Sequence, residues 1–176
     1  GELGLLADTN GAVSGVSAFP APYAGLVTGS DGTVASFADP RLAGPLPAEK
    51  KTRLGHPIAG PAAIGRFFSS GVPAPHLAVT TRDGWLFLLN VDLGPMSGFP
   101  VMAGERIDAP PAIGDFDGDG QRDILVFSDN RILAYNALGV LLDGYPVTLP
   151  AEDRLASPPI LGDVDGNGSV DVVGVS

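Results

Sequence analysis

Cysteine is absent from this 176-residue chain, which excludes disulfide scaffolds, zinc–thiolate sites and cysteine nucleophiles. Basic residues are sparse: 10 Lys plus Arg stand against 20 Asp plus Glu, a formal net charge of −10. That balance argues against nucleic acid and anionic membrane surfaces as partners. No apolar run approaches the roughly 18 residues of a spanning helix, so membrane insertion is not expected. No basic segment followed by an apolar stretch opens the chain, so no signal peptide is legible. A first residue Gly1 in place of Met reads as a processed or cut terminus, which leaves export open. A sustained 3.6-residue hydrophobic period is missing too. Only Ala48 to Leu54, Ala-Glu-Lys-Lys-Thr-Arg-Leu, would suit one short surface helix.

What the chain has in quantity is glycine and proline: 25 and 17, together 42 of 176 residues. Hydrophobic residues still make up 44%, too many for a disordered chain. Gly and Pro at this density interrupt helices and suit short strands joined by tight turns, so the fold class is all-β.

The chain also repeats itself. Pro110-Pro-Ala-Ile-Gly-Asp-Phe-Asp-Gly-Asp-Gly120 returns as Pro158-Pro-Ile-Leu-Gly-Asp-Val-Asp-Gly-Asn-Gly168, and Pro61-Ala-Ala-Ile-Gly65 is a third copy of the opening. Gly98-Phe-Pro-Val101 returns as Gly144-Tyr-Pro-Val147. Hairpin signals recur at Ser30-Asp-Gly32, Arg82-Asp-Gly84 and Ser128-Asp-Asn130, and Ala21-Pro-Tyr23 and Ala74-Pro-His76 precede the first two of them at matching places. A period of about 46 to 53 residues is that of a propeller blade. In the third copy the spacing predicts strands at Ala112 to Phe116, Asp123 to Phe127 and Arg131 to Asn136, with a weaker one near Tyr145 to Thr148. The second copy predicts strands at His76 to Thr80 and Trp85 to Asn90. The continuous apolar run Ile124-Leu-Val-Phe127 suits a strand buried on both faces.

The expected architecture is a β-propeller of four-stranded blades. Residues 1–10 would end a preceding blade. Residues 11–54 and 55–106 would form blades without a metal loop, 107–154 a blade with one, and 155–176 the first half of another. A propeller needs at least four blades to close, and an open one presents bare strand edges. About three and a half blades therefore point to part of a larger propeller, or to a ring completed by other chains.

The chemistry lies in two acidic, glycine-rich segments, Asp115-Phe-Asp117-Gly-Asp119-Gly-Gln121-Arg-Asp123 and Asp163-Val-Asp165-Gly-Asn167-Gly-Ser169-Val-Asp171. Hard divalent cations take six to eight oxygens, and Ca²⁺ tolerates a flexible shell. Positions 1, 3 and 5 would turn their side chains inward while Gly at position 6 allows the sharp bend. Position 7 (Gln121, Ser169) would offer a carbonyl and position 9 (Asp123, Asp171) would close the shell. An EF-hand is excluded because position 12 is Val126 or Gly174 where that motif needs a bidentate Glu, and an apolar strand follows instead of a helix. Dockerin-type modules are opposed by the same strands. The alternative is a pair of solvated Asx-Gly turns, against which stands the repetition of the whole pattern. Seven carboxylates in two loops would repel without a cation, at about 1 kcal/mol per pair at 4 Å in water. Two bound Ca²⁺ would move the formal charge from −10 to −6.

These residues resemble the FG-GAP repeats of integrin α-subunit propellers, and more closely their bacterial relatives, the FG-GAP or VCBS repeat proteins. The resemblance covers nearly the whole chain, but its specific motif occurs twice. It implies calcium in a loop joining the first two strands of a blade, held by Asp115, Asp117, Asp119, the Gln121 carbonyl and Asp123. The second set is Asp163, Asp165, Asn167, the Ser169 carbonyl and Asp171. Gly65-Arg-Phe-Phe-Ser-Ser and Ser14-Gly-Val-Ser-Ala-Phe depart from the pattern and carry no carboxylates, so no ion is expected in the first two blades.

No catalytic constellation accompanies the loops. His56 and His76 lack acidic or hydroxyl neighbours in sequence, and no Gly-x-Ser-x-Gly elbow or phosphate loop exists. Trp85, alternating with Phe87, reads as core packing, with a sugar-stacking platform as the alternative. Lys50, Lys51 and Arg53 read as a solvated face. Asp83, Glu105, Asp143 and Asp153 show no pairing along the chain. The expected function is a non-enzymatic, calcium-stabilised binding or adhesion module for a protein or carbohydrate ligand. The resemblance implies a bacterial extracellular, surface or periplasmic setting. The alternatives are the propeller of a secreted polysaccharide-degrading enzyme, and a scaffold segment completed by other chains.

Overall fold

The computed structural model describes residues 13–18, 23–29, 31–38, 50–69, 72–155 and 157–174. The end of a preceding blade expected at 1–10 lies outside them. Three antiparallel four-stranded meanders follow one another along the chain. The first comprises β1 (Val13–Ala18), β2 (Tyr23–Gly29), β3 (Thr33–Ala38) and β4 (Lys51–Arg53). The second comprises β5 (Ala63–Ser69), β6 (Val72–Thr80), β7 (Trp85–Leu89) and β8 (Val101–Met102). The third comprises β9 (Ala112–Gly114), β10 (Asp123–Ser128), β11 (Arg131–Tyr135) and β12 (Val147–Thr148). A two-stranded sheet of β13 (Ile160–Gly162) and β14 (Asp171–Val173) comes last. The first strands touch in series, β1 to β5, β5 to β9 and β9 to β13. Consecutive blades therefore fan out from their first strands, the arrangement of a β-propeller.

Strand periodicity explains why the middle strands are apolar on both faces. Along β6 and β7, Leu77, Val79, Phe87 and Leu89 pack with Val34 and Ile58 toward the first sheet. The intervening Ala78, Leu86 and Leu88 pack with Ile124, Val126 and Leu133 of the third. Strand β10 repeats this, with Leu125 and Phe127 turned toward Leu142, Leu155 and Val172. Each full burial of such a side chain stabilises the stack by about 1.5–3 kcal/mol.

Side-chain acceptors set the strand ends. The third sheet's first strand ends at Gly114, two residues short of the expected Phe116, because the next backbone N–H groups bond to loop carboxylates. Strands β7 and β11 end one residue early because Asn90 and Asn136 turn the chain. Asn90 Oδ1 accepts from the N–H groups of Asp92 and Gly94, and Asn136 Oδ1 from those of Leu138 and Val140. The strand near Tyr145 is reduced to Val147–Thr148, since the Tyr145 N–H bonds Leu142 in a turn. Strand β6 is longer than expected and begins at Val72. The expected surface helix at Ala48 to Leu54 is wrong in its described part. Lys51–Arg53 is an edge strand paired with Thr33 to Ala35, so a partner distant in sequence overrides helix-forming composition. Among the described residues no helix is long and apolar enough to cross a membrane.

Candidate metal centre

Each acidic segment joins the first two strands of a sheet, β9 to β10 and β13 to β14. The two loops share one hydrogen-bond scaffold. Both oxygens of Asp115 accept backbone N–H bonds, from Gly118 at 2.8 Å and Gly120 at 3.0 Å. Both oxygens of Asp163 do the same, from Gly166 at 2.7 Å and Gly168 at 2.9 Å. Asp117 accepts from the Asp119 N–H as Asp165 accepts from the Asn167 N–H. Asp123 accepts from the Phe116 N–H at 2.9 Å, and Asp171 from the Val164 N–H at 2.7 Å. Gly120 and Gly168 hold φ of 82° and 86°, a region costly for any side chain. Gly118 and Gly166 sit at 78°, a requirement at position 4 that the sequence reading did not single out.

Among the described residues, two groups of three carboxylates can each hold one cation. Asp115, Asp117 and Asp123 present oxygens within 4.8 Å of one another, and so do Asp163, Asp165 and Asp171. Asp119 lies outside the first group; its oxygens take the Gln121 backbone N–H at 2.7 Å and its side-chain amide at 2.9 Å. At the matching place Asn167 Oδ1 accepts the Ser169 N–H at 2.7 Å, while its amide donates to Asp165. Position 5 thus braces the loop beside the trio.

The electrostatics differ between the loops. Asp123 heads the fully buried strand β10 and is 2% exposed. Burial pushes its carboxyl up to about 6, against the Phe116 hydrogen bond, and the charges of Asp117, Asp119 and Asp115 add to the push. Burial among carboxylates disfavours the charged form, and a neighbouring cation offsets that cost. An all-oxygen set with open lone pairs suits a hard divalent ion such as Ca²⁺, so the residues fit the ion the pattern calls for. The second loop is more open, with Asp163 and Asp165 exposed and Asp171 partly buried.

The other singled-out residues take structural places. His76 is buried, with its ring edge on Phe67 and Nδ1 at 2.8 Å from the Ala74 carbonyl. His56 Nδ1 lies 2.6 Å from Asp83 Oδ2, a pair the sequence reading missed because 27 residues separate the partners. Trp85 packs against the core cluster between the first two sheets, and its ring lies 5.6 Å from that of His56. Within the basic cluster, Lys50 pairs with Asp92 and Arg53 with Asp31.

Residues 110–174, which contain both loops, match the family model of the FG-GAP-like repeat. Comparison with curated proteins gives no match. Among solved structures the chain is similar to BamB from Moraxella catarrhalis, with a TM-score of 0.61 and 13% identity over 96% of this chain. It is also similar to the computationally designed Ika8 protein (TM-score 0.57, 16% identity, 93% of this chain). A third similar structure is the WD40 domain of Neurospora crassa Pan2 (TM-score 0.53, 15% identity, 93% of this chain). At such identities these likenesses establish the β-propeller fold. The chain spans about half the length of each, 49%, 46% and 44%.

Proposed function

We propose that this FG-GAP-like propeller segment is a calcium-braced binding module, exported or displayed at a bacterial surface, whose loops recognise a protein or carbohydrate. The observation that carries the reading is the duplicated scaffold: two loops 48 residues apart in sequence aim three carboxylates at one point through the same backbone hydrogen bonds. Asp115, Asp117 and Asp123 would hold one ion, and Asp163, Asp165 and Asp171 the other. The remaining shell would come from the position-5 side chains Asp119 and Asn167, from the position-7 carbonyls of Gln121 and Ser169, and from water. The bound ion supplies positive charge that offsets mutual repulsion of the carboxylates. The chain's own residues do the rest: Gly118 and Gly120 bend the loop, and Asp123 ties it to β10. A loop fixed in this way presents a rigid surface beside the blade edge, which lowers the ordering cost of recognition.

Calorimetric titration of the metal-stripped protein with CaCl₂ tests this reading. Two sites per chain are expected, with the Asp115–Asp123 loop the tighter because it carries four carboxylates against three. Asp123→Asn should abolish one site and Asp171→Asn the other. Heats indistinguishable from dilution would overturn the reading.

A further inference from the structure

We infer that the cleft between the second and third sheets is an oxyanion-binding site in which Arg66 and Arg122 grip a carboxylate or sulfate group on a small organic body. This deepens the binding-module reading, on which it rests, by naming a ligand chemistry. The cleft has a volume of about 460 Å³ and is lined by Ile64, Gly65, Arg66, Pro75, Ile113 and Arg122. Both of its charged groups are guanidiniums, in a chain whose formal charge is −10. Among the described residues neither has an ion-pair partner, whereas Arg53, Arg82 and Arg106 are each matched to an aspartate.

The repeat supplies a second observation. Superimposing Pro61-Ala-Ala-Ile-Gly65 on Pro110-Pro-Ala-Ile-Gly114 places Arg66 where the third blade has Asp115. Superimposing the two acidic loops places Arg122 where the last blade has Val170. A cleft at the next blade junction, between the two acidic loops, is lined by Asp115, Asp117 and Val170 among others, with a volume of about 360 Å³. Both positions that face this kind of cleft therefore carry arginine at one blade junction and neither does at the next. One such arginine is an ordinary surface residue; two from different blades converging on one cleft are a pair of forks.

Guanidinium presents planar paired donors that match the oxygens of a carboxylate or sulfate in bidentate fashion. Ile64, Pro75 and Ile113 provide an apolar wall for the carbon body of the ligand. The surrounding negative field opposes large polyanions, so recognition is confined to a single group at short range and weakens with salt.

The test is an NMR titration of the calcium-loaded protein at constant ionic strength with sodium glucuronate, sodium sulfate and glucose. Saturable shifts at residues of the cleft are expected with glucuronate, sulfate or both, and none with glucose. A response to glucuronate alone identifies an organic carboxylate as the ligand group, and a response to sulfate identifies a tetrahedral oxyanion. R66A and R122Q should each weaken binding by at least about tenfold, the loss of a hydrogen bond to a charged group, and R66K should fall between R66A and the parent. Arg66 is exposed and outside both acidic loops, so R66A should keep its melting temperature and both calcium ions. Retained calcium with lost anion binding thus separates this site from the metal sites, and anion binding through both arginines without calcium uptake would uphold it alone. Absence of saturation by both anions, or unchanged affinity in R66A, would overturn it.

Discussion

Gly65 lies directly beneath Ile113 of the next blade: a β-carbon at residue 65 would sit 2.8 Å from Ile113 Cγ2 and 2.9 Å from Cδ1. The relationship recurs one blade later, where a β-carbon at Gly114 would sit 3.3 Å from Leu161 Cδ1. Gly65 and Gly114, the latter immediately before the first acidic loop, thus each lie against a first-strand side chain of the next blade, whereas a β-carbon at Gly162 would meet nothing within 4 Å.

Gly65→Ala should therefore destabilise the fold by about 1–3 kcal/mol, the usual cost of overpacking. Ile113→Val removes Cδ1 and should recover part of that loss. Urea unfolding at fixed calcium, with both single variants and the double, reads the coupling directly. Additive effects would contradict the contact.

Removing the buried carboxylate should cost more than removing its partly buried counterpart. On the proposed function, Asp123→Asn and Asp171→Asn should each forfeit one ion, worth about 2.7 kcal/mol when calcium stands a hundredfold above Kd. The larger drop in melting temperature is expected for Asp123→Asn, since Asp123 is 2% exposed and heads the central strand of its sheet. In EDTA the order should reverse for Asp123→Asn, which then relieves a buried repulsion.

The same carboxyl predicts a pH dependence in the metal-free protein. Its folded value of about 6 lies above the ordinary 3.8. Between those values the folded chain holds the proton more firmly than the unfolded chain, so stability is greatest at low pH and falls as pH rises through 6. The upper bound on that loss is about 3 kcal/mol. Calcium should invert the trend, because binding requires the ionised group. Denaturant midpoints from pH 4 to 7.5, with EDTA and with calcium, should slope in opposite directions.

Asp83 predicts a smaller effect of opposite sign. Burial, the largest single influence, pushes its carboxyl up, but hydrogen bonds with Thr81 and His56 and the charge of His56 together hold it below its ordinary value. Its stabilisation is therefore present at neutral pH and lost as pH falls through the lowered value. The pair is partly exposed, so Asp83→Asn should cost no more than about 1 kcal/mol, and thermal unfolding in raised salt should shrink the difference.

The loops and the middle strands were legible in the sequence because their signals are local. Ile124 to Phe127 must be apolar throughout when both faces of β10 are buried, and a cation loop needs its oxygens and glycines at fixed spacing. The edge strand Lys51–Arg53 was not legible, since its three polar residues owe their conformation to pairing with Thr33 to Ala35. The His56–Asp83 pair and the meeting of Arg66 with Arg122 at one cleft were equally hidden, because the stacking of blades, and no spacing along the chain, brings them together. The retreat of β9 to Gly114 has a local cause, but it becomes visible only once Asp115 and Asp123 are seen accepting backbone bonds.

The loop predictions depend on calcium being a structural part of the third blade and of the two-stranded sheet that follows it. Thermal unfolding in 2 mM calcium and in excess EDTA, with native mass spectrometry of the same samples, tests it most directly. Two ions per chain and a large rise in melting temperature that requires both loops are expected. A protein that carries no calcium and melts at the same temperature in both buffers would contradict both.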